Sequence, residues 1–126
     1  MPRFSVSYDA GGDPEAVFAS ISDYAGFPDA APEFFPYVRR LSSRGGTSVA
    51  EERVRIGGRE MHVTAKHVIG EMSHEIYFVG GDARGTRITM RVTGAGVVEM
   101  DADIRHRLMR AGPARRDCLR LLELVS

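Results

Sequence analysis

Apolar and polar positions alternate along much of the chain. From Arg3 to Tyr8, Phe4, Val6 and Tyr8 fall on one face and Arg3, Ser5 and Ser7 on the other, the period of a half-buried strand. Gly11-Gly12 ends that period. Asp13-Pro14-Glu15 reads as a helix start: a carboxylate at the N-cap, a proline whose missing N–H costs nothing in the first turn, and an acid beside it. Val17, Phe18, Ile21 and Tyr24 then form the buried face. Between Gly26 and Pro36, Pro28, Pro32 and Pro36 stand among Phe27, Phe34 and Phe35, which holds any helix there to a short piece.

The stretch from Tyr37 to Thr93 reads as strands. Val38 to Ser43 is a weak one. Ser48 to Ile56 and Arg59 to Ile69 flank Gly57-Gly58, a dipeptide suited to the positive φ angles of a two-residue hairpin turn. That turn sets Val54 opposite Met61, Glu52 opposite Val63, Ala50 opposite Ala65 and Ser48 opposite His67 on one face. Arg55 opposite Glu60, Arg53 opposite His62 and Glu51 opposite Thr64 make the other. The first set is mostly apolar and should face inward, because a slip of one residue would drive Arg53 and Arg55 into the apolar layer. His74 to Val79 and Thr86 to Thr93 follow as two more strands, with Ile76, Phe78, Ile88, Met90 and Val92 inward. In the last segment Ile104, Leu108, Ala111, Cys118, Leu122 and Val125 recur at helical steps, with Asp101 or Asp103 available as a cap and Gly112-Pro113 predicting a kink. The fold class is α+β: a curved antiparallel sheet of about six strands gripping a kinked C-terminal helix, which buries these faces economically.

Composition narrows this reading. The 126 residues are 43% hydrophobic and 27% charged, which predicts one domain spanning residues 1–126 with one core. Cys118 is the only cysteine, so no internal disulfide forms, and a reducing compartment is the simplest setting. The formal net charge is zero, which removes a global field for nucleic acid or an anionic membrane. A basic excess is confined to the C-terminal part, where Arg105, Arg107, Arg110, Arg115 and Arg116 read as a solvated helix face. No apolar run reaches the length of a bilayer span, and Met1 to Tyr8 lacks the apolar core of a secretory signal, so the expectation is a soluble cytoplasmic protein. The chain contains no Asn, Gln or Trp, and Lys66 is its one lysine; heat adaptation and a GC-rich genome both account for that bias.

Candidate chemistry is sparse. There is no P-loop, dinucleotide fingerprint, nucleophile elbow or His-Glu-x-x-His pair, and no cofactor is expected. His62 and His67, five apart on one strand, face opposite ways, so spacing offers no metal site. The inward polar residues are Tyr8, Glu52 and His67, which would supply the acid and base of an enzyme. The plainer reading makes Tyr8 ordinary core and places His67 at a wet rim. Glu52 is harder to dismiss, because a carboxylate among apolar neighbours is costly without a partner. Phe27, Phe34, Phe35 and Tyr37 read as core or as a cavity lid, and Cys118 as a small buried hydrophobe. If the terminal helix keeps its phase through Gly112-Pro113, Arg115 faces the sheet and meets Glu52 or a ligand's acidic head group; if Pro113 rotates the phase, Arg115 reaches water.

The order of elements and their local wording resemble the START-like (SRPBCC) superfamily with its helix-grip fold, and within it the polyketide cyclase/dehydrase and coenzyme Q-binding group. The residues that carry the likeness are Asp13 to Phe18, Ser22-Asp23-Tyr24 with Phe27-Pro28 and Pro32, Ile56 to Met61, and Gly85 to Thr89. The resemblance implies a hydrophobic cavity between sheet and C-terminal helix that carries, or sometimes transforms, lipids, sterols, quinones or polyketides. Glu52, Val54, Met61, Val63, His67, Phe78, Met90, Leu108 and Arg115 are its expected lining. Two departures from the family pattern stand out. The connection between Phe78 and Thr86 is short, which predicts six strands where relatives have seven, and Gly112-Pro113 interrupts the terminal helix. A missing edge strand predicts a homodimer through Thr86 to Thr93 or His74 to Val79. Three functions follow: a non-catalytic binder or carrier of a small hydrophobic ligand, a cyclase- or dehydratase-like enzyme, and a protein-interaction module.

Overall fold

Alternation and turn chemistry become one antiparallel sheet in the computed structural model, which describes Met1–Ser126. Its strands are β1 (Arg3–Asp9), β2 (Tyr37–Arg44), β3 (Thr47–Ile56), β4 (Arg59–Ile69), β5 (Ser73–Gly81), β6 (Arg87–Val92) and β7 (Val97–Asp103). They lie in the order β1-β7-β6-β5-β4-β3-β2. Between β1 and β2 run α1 (Pro14–Ser22), a single 3-10 turn (Tyr24–Gly26) and α2 (Phe27–Ala30); α3 (Ala111–Val125) ends the chain. Asp13 caps α1 as expected, its carboxylate accepting from the Glu15 N–H at 3.3 Å with Pro14 in the first turn.

The β3–β4 hairpin has the expected register throughout, Val54 opposite Met61 and Arg55 opposite Glu60. Met61 is 1% exposed, while Arg55 and Glu60 pair at 2.8 Å on the outer face. Gly57 and Gly58 take φ of +62° and +75° at the turn, a region where a side chain is strained. Gly57 also touches α3 and the connection before it: its N–H donates to Asp117 Oδ2 at 2.8 Å, and a Cβ there would lie 3.0 Å from Met109 Cγ. The tip of the hairpin is thereby fastened to the helix that covers the sheet.

Three expectations are corrected. The sheet has seven strands, not six. The seventh is β7, where Val98, Met100 and Ala102 point inward between β6 and β1, and Asp101 and Asp103, read as helix caps, lie on the strand. His74 to Val79 and Thr86 to Thr93 are therefore interior to the sheet, paired on both sides, and leave no free edge for a second copy; the edges are β1 and β2. The terminal helix is not kinked, because it starts at Ala111 and places Pro113 in its first turn, where an N–H has no partner to lose.

Starting the helix that late also sets its phase. Ala114, Cys118, Leu121, Leu122 and Val125 are its buried residues. Ile104 is buried in the connection that precedes the helix, and Ala111 is exposed at its start. The helix packs against β1, the β3 side of the sheet, α1 and α2. Between it and the sheet lies a core in which Val54, Met61, Met90, Val98, Met100, Ile104 and Leu122 are almost fully enclosed.

Candidate functional site

The concave face of the sheet is apolar except near β3, β4 and β5. Glu52 on β3, His67 on β4 and His74 on β5 all point inward there and are buried. In the β3–β4 register Glu52 and His67 lie on either side of the Ala50–Ala65 pair. Two methyl side chains leave room for the longer ones to extend toward each other over them, and Glu52 Oε2 meets His67 Nε2 with both side chains wholly enclosed. His67 Nδ1 lies 2.8 Å from His74 Nε2, and His74 Nδ1 lies 2.9 Å from the Ile21 carbonyl. Ile21 stands in the last turn of α1, where backbone carbonyls lack helical partners, so the helix end supplies the acceptor that terminates the chain.

Tyr24 closes this group from the side. Its ring stacks on His67 with centroids 3.5 Å apart and planes 2° from parallel. Its hydroxyl accepts from Arg40 Nε at 3.1 Å and is hydrogen-bonded to Ser48 Oγ, with the Arg40 guanidinium 5.2 Å from the ring centroid. Burial holds the His74 imidazolium down to about pKa 4, partly offset by the Ile21 carbonyl and reinforced by His67, so His74 is neutral at pH 7.

A neutral His74 fixes the direction of the chain. Its Nδ1 faces a carbonyl and carries the proton; Nε2 accepts, so His67 Nδ1–H donates to it. One proton remains between His67 Nε2 and Glu52 Oε2, giving either an imidazolium–carboxylate pair or a neutral imidazole with a protonated carboxyl. Glu52 Oε1 is buried and has no partner.

The expected lining residues separate into two groups. Glu52, Val54, Met61, Val63, His67, Phe78 and Met90 all lie buried on the inner face. Leu108 does not; it is 64% exposed in the connection before α3. Arg115 follows Ala114 by one residue, which turns it off the buried stripe and out to solvent, and Glu52 takes His67 as its partner instead. Arg115→Ala is expected to change stability by less than about 0.5 kcal/mol and to add simply to the effect of Glu52→Ala in urea unfolding. Tyr8 is half-buried on β1, at the far end of the sheet order from β3, so the phenol beside the histidines is that of Tyr24.

His67 is fully buried rather than at a rim. Phe27, Phe34 and Phe35 belong to the core, and Tyr37 is exposed on β2. Sequence reasoning missed His74, although it shares the parity of Ile76 and Phe78 on one strand and so had to face inward.

The outer face has a different character. A depression of about 770 Å³ on it is lined mainly by Arg3, Glu75, Arg87, Arg91, Asp101 and Asp103. These charges satisfy one another: Arg91 meets Asp101 at 2.7 Å and Arg87 meets Glu75 at 3.0 Å. Exposed pairs of this kind contribute roughly 0–1 kcal/mol each and leave no uncommitted charge for a ligand.

The architecture, a curved antiparallel sheet closed by a C-terminal helix, is the helix-grip fold. No protein-family model matches the chain, and no curated protein matches it in sequence. Solved structures match it in fold. The protein TTHA0849 of Thermus thermophilus is 13% identical with a TM-score of 0.74, over 97% of this chain and 87% of that one. The Zhui aromatase/cyclase from Streptomyces sp. R1128 is 17% identical with a TM-score of 0.59, over 98% and 82%. Major latex-like protein 151 from Panax ginseng is 14% identical with a TM-score of 0.68, over 96% and 91%. No helix is long and apolar enough to cross a membrane.

Proposed function

We propose that residues 1–126 act as one domain that binds a small, largely apolar ligand between the sheet and α3, without transforming it. The observation that carries this reading is the Glu52–His67–His74 chain inside the concave apolar layer. A buried ionisable pair is a weak source of stability, and apolar residues of the same volume often serve as well or better. Keeping one there makes sense where a bound molecule uses it. Met61, Met90 and Met100 on the same face supply flexible, polarisable side chains that repack around a guest. Carriage rather than catalysis is favoured because both ring nitrogens of both histidines are held within the protein, leaving neither imidazole free to exchange a proton with a guest.

A cyclase- or dehydratase-like activity is the second reading. It draws on the single proton shared by Glu52 and His67 in an enclosed site, the element that general acid–base catalysis needs, and on the aromatase/cyclase named among the structural neighbours.

Native mass spectrometry of freshly purified protein tests the first reading, with a small-molecule adduct that organic extraction removes as the expected result. An anilinonaphthalene sulfonate titration, read by the probe's own emission, accompanies it. The expected titration saturates at one site per chain and is displaced by the extracted material. A bare protein mass together with no saturable probe binding overturns the proposal, and turnover of a bound carbonyl compound replaces it with the second reading.

A further inference from the structure

Two buried side-chain oxygens have no hydrogen-bond partner, Asp103 Oδ1 and Glu52 Oε1. Asp103 is a quarter exposed and stands beside Arg3 and Arg105, so its charge is already answered on the outer face. Glu52 is wholly enclosed, its same-face neighbours are Ala50, Val54 and Val63, and its one ion-pair partner within 4.0 Å is His67. An unpaired oxygen in such a layer bears the full cost of its lost hydration, which makes it the place where a guest has most to offer.

The direction of the hydrogen bonds determines what that guest must present. A buried cluster of no net charge is favoured over one carrying an uncompensated charge. With the chain anchored on the Ile21 carbonyl, and counting even the His74 imidazolium that burial disfavours, such a cluster has three arrangements of its protons: a Glu52 carboxylate with His67 imidazolium, a Glu52 carboxylate with His74 imidazolium, or a Glu52 carboxyl with both imidazoles neutral. In the first two the carboxylate carries no hydrogen. In the third the carboxyl hydrogen sits on Oε2, because His67 Nδ1 must donate to His74 and His67 Nε2 must therefore accept. Glu52 Oε1 is an acceptor in every case.

We propose that Glu52 Oε1 is the polar anchor of the ligand site and that it selects guests carrying a hydrogen-bond donor, a hydroxyl or phenol on an apolar skeleton, over matched carbonyl or ether compounds. The inference rests on the binding reading above and gives that site its ligand class. Neither sequence motif nor fold likeness distinguishes a phenol from a quinone; the backbone carbonyl at the end of α1, acting through two imidazoles, does.

The test is a matched pair of probes at pH 7, 2-naphthol and 2-methoxynaphthalene, each titrated calorimetrically into the full chain. The naphthol is expected to bind about tenfold tighter, the difference of one hydrogen bond to a carboxyl acceptor. In Glu52→Leu the ratio should fall to about one with the ether's affinity retained. In Glu52→Gln the preference should persist, because the amide N–H takes His67 Nε2 and the amide oxygen is left facing the guest. Equal binding of the two probes to the unaltered protein overturns the anchor and leaves the binding reading standing, and it is also what a permanently resident water on Oε1 would produce. A preference that survives in Glu52→Leu, or disappears in a folded Glu52→Gln, overturns the anchor as well. Failure of both probes to bind overturns the anchor and the binding reading together. The comparison on the unaltered chain decides the matter even where Glu52→Leu does not fold.

Discussion

His67→Leu is expected to lower the unfolding free energy by about 3–5 kcal/mol, because it leaves the Glu52 carboxyl in an apolar layer with neither oxygen paired and takes the donor away from His74 Nε2. The stacked Tyr24 ring loses its partner in the same step. Adding Glu52→Leu should recover most of that loss, since an apolar pair of similar volume has no desolvation to offset. The reverse single change, Glu52→Leu, should cost less than His67→Leu, because an imidazole left without its carboxyl can stay neutral and forfeits only a hydrogen bond. The measurement is a double-mutant cycle by urea denaturation. Effects that add within about 0.5 kcal/mol would mean that the two side chains do not interact.

Acid is expected to weaken the fold through His74 well before the carboxylates titrate. Burial lowers its folded value to about 4, against the ordinary 6.5 of an unfolded chain, so below pH 6.5 the unfolded state binds the extra proton and the folded state resists it. The stabilisation is complete above pH 6.5, falls as the pH drops through the window to about 4, and has no further dependence on this group below that. The gap corresponds to about 3 kcal/mol.

Exposed carboxylates act in the same direction but lower on the scale. Hydrogen bonds from Arg55 to Glu60, from Arg87 to Glu75, and from Ser5 and then Arg91 to Asp101 each hold a carboxyl below its usual value. His74→Gln, whose amide can still donate to the Ile21 carbonyl, should therefore flatten the stability profile between pH 6.5 and 4.5 and leave the steeper loss at lower pH. A variant with an unchanged slope in that upper window would refute the assignment.

Local periodicity was sufficient wherever a turn and a hydrophobic face agreed. Gly57-Gly58 supplies the positive φ of a tight hairpin, and the contrast between Val54–Met61 and Arg55–Glu60 permits one register only, so the sheet's central hairpin was legible residue by residue. The same holds for the Asp13-Pro14 start of α1, whose capping chemistry is complete within three residues. Inward placement of Glu52 and His67 also follows from parity alone.

What parity does not contain is distance between elements. β7 went unread because Asp101 and Asp103 look like helix caps in isolation, and its inward Val98, Met100 and Ala102 acquire meaning only between β6 and a first strand that lies at the other end of the chain. Pro113 looked like a break in a helix until the tertiary packing set the helix start at Ala111, which turned Arg115 outward and left Leu108 outside the helix altogether.

The candidate site is the clearest case. Glu52, His67 and His74 come from three strands, Tyr24 from the turn after α1, and the Ile21 carbonyl from the helix itself. A side-chain pattern records which face each residue occupies, because that depends on its neighbours in sequence. Which buried polar groups meet, and which oxygen is left without a partner, depends on sheet curvature and on where a helix end comes to rest, and the tertiary structure alone decides these.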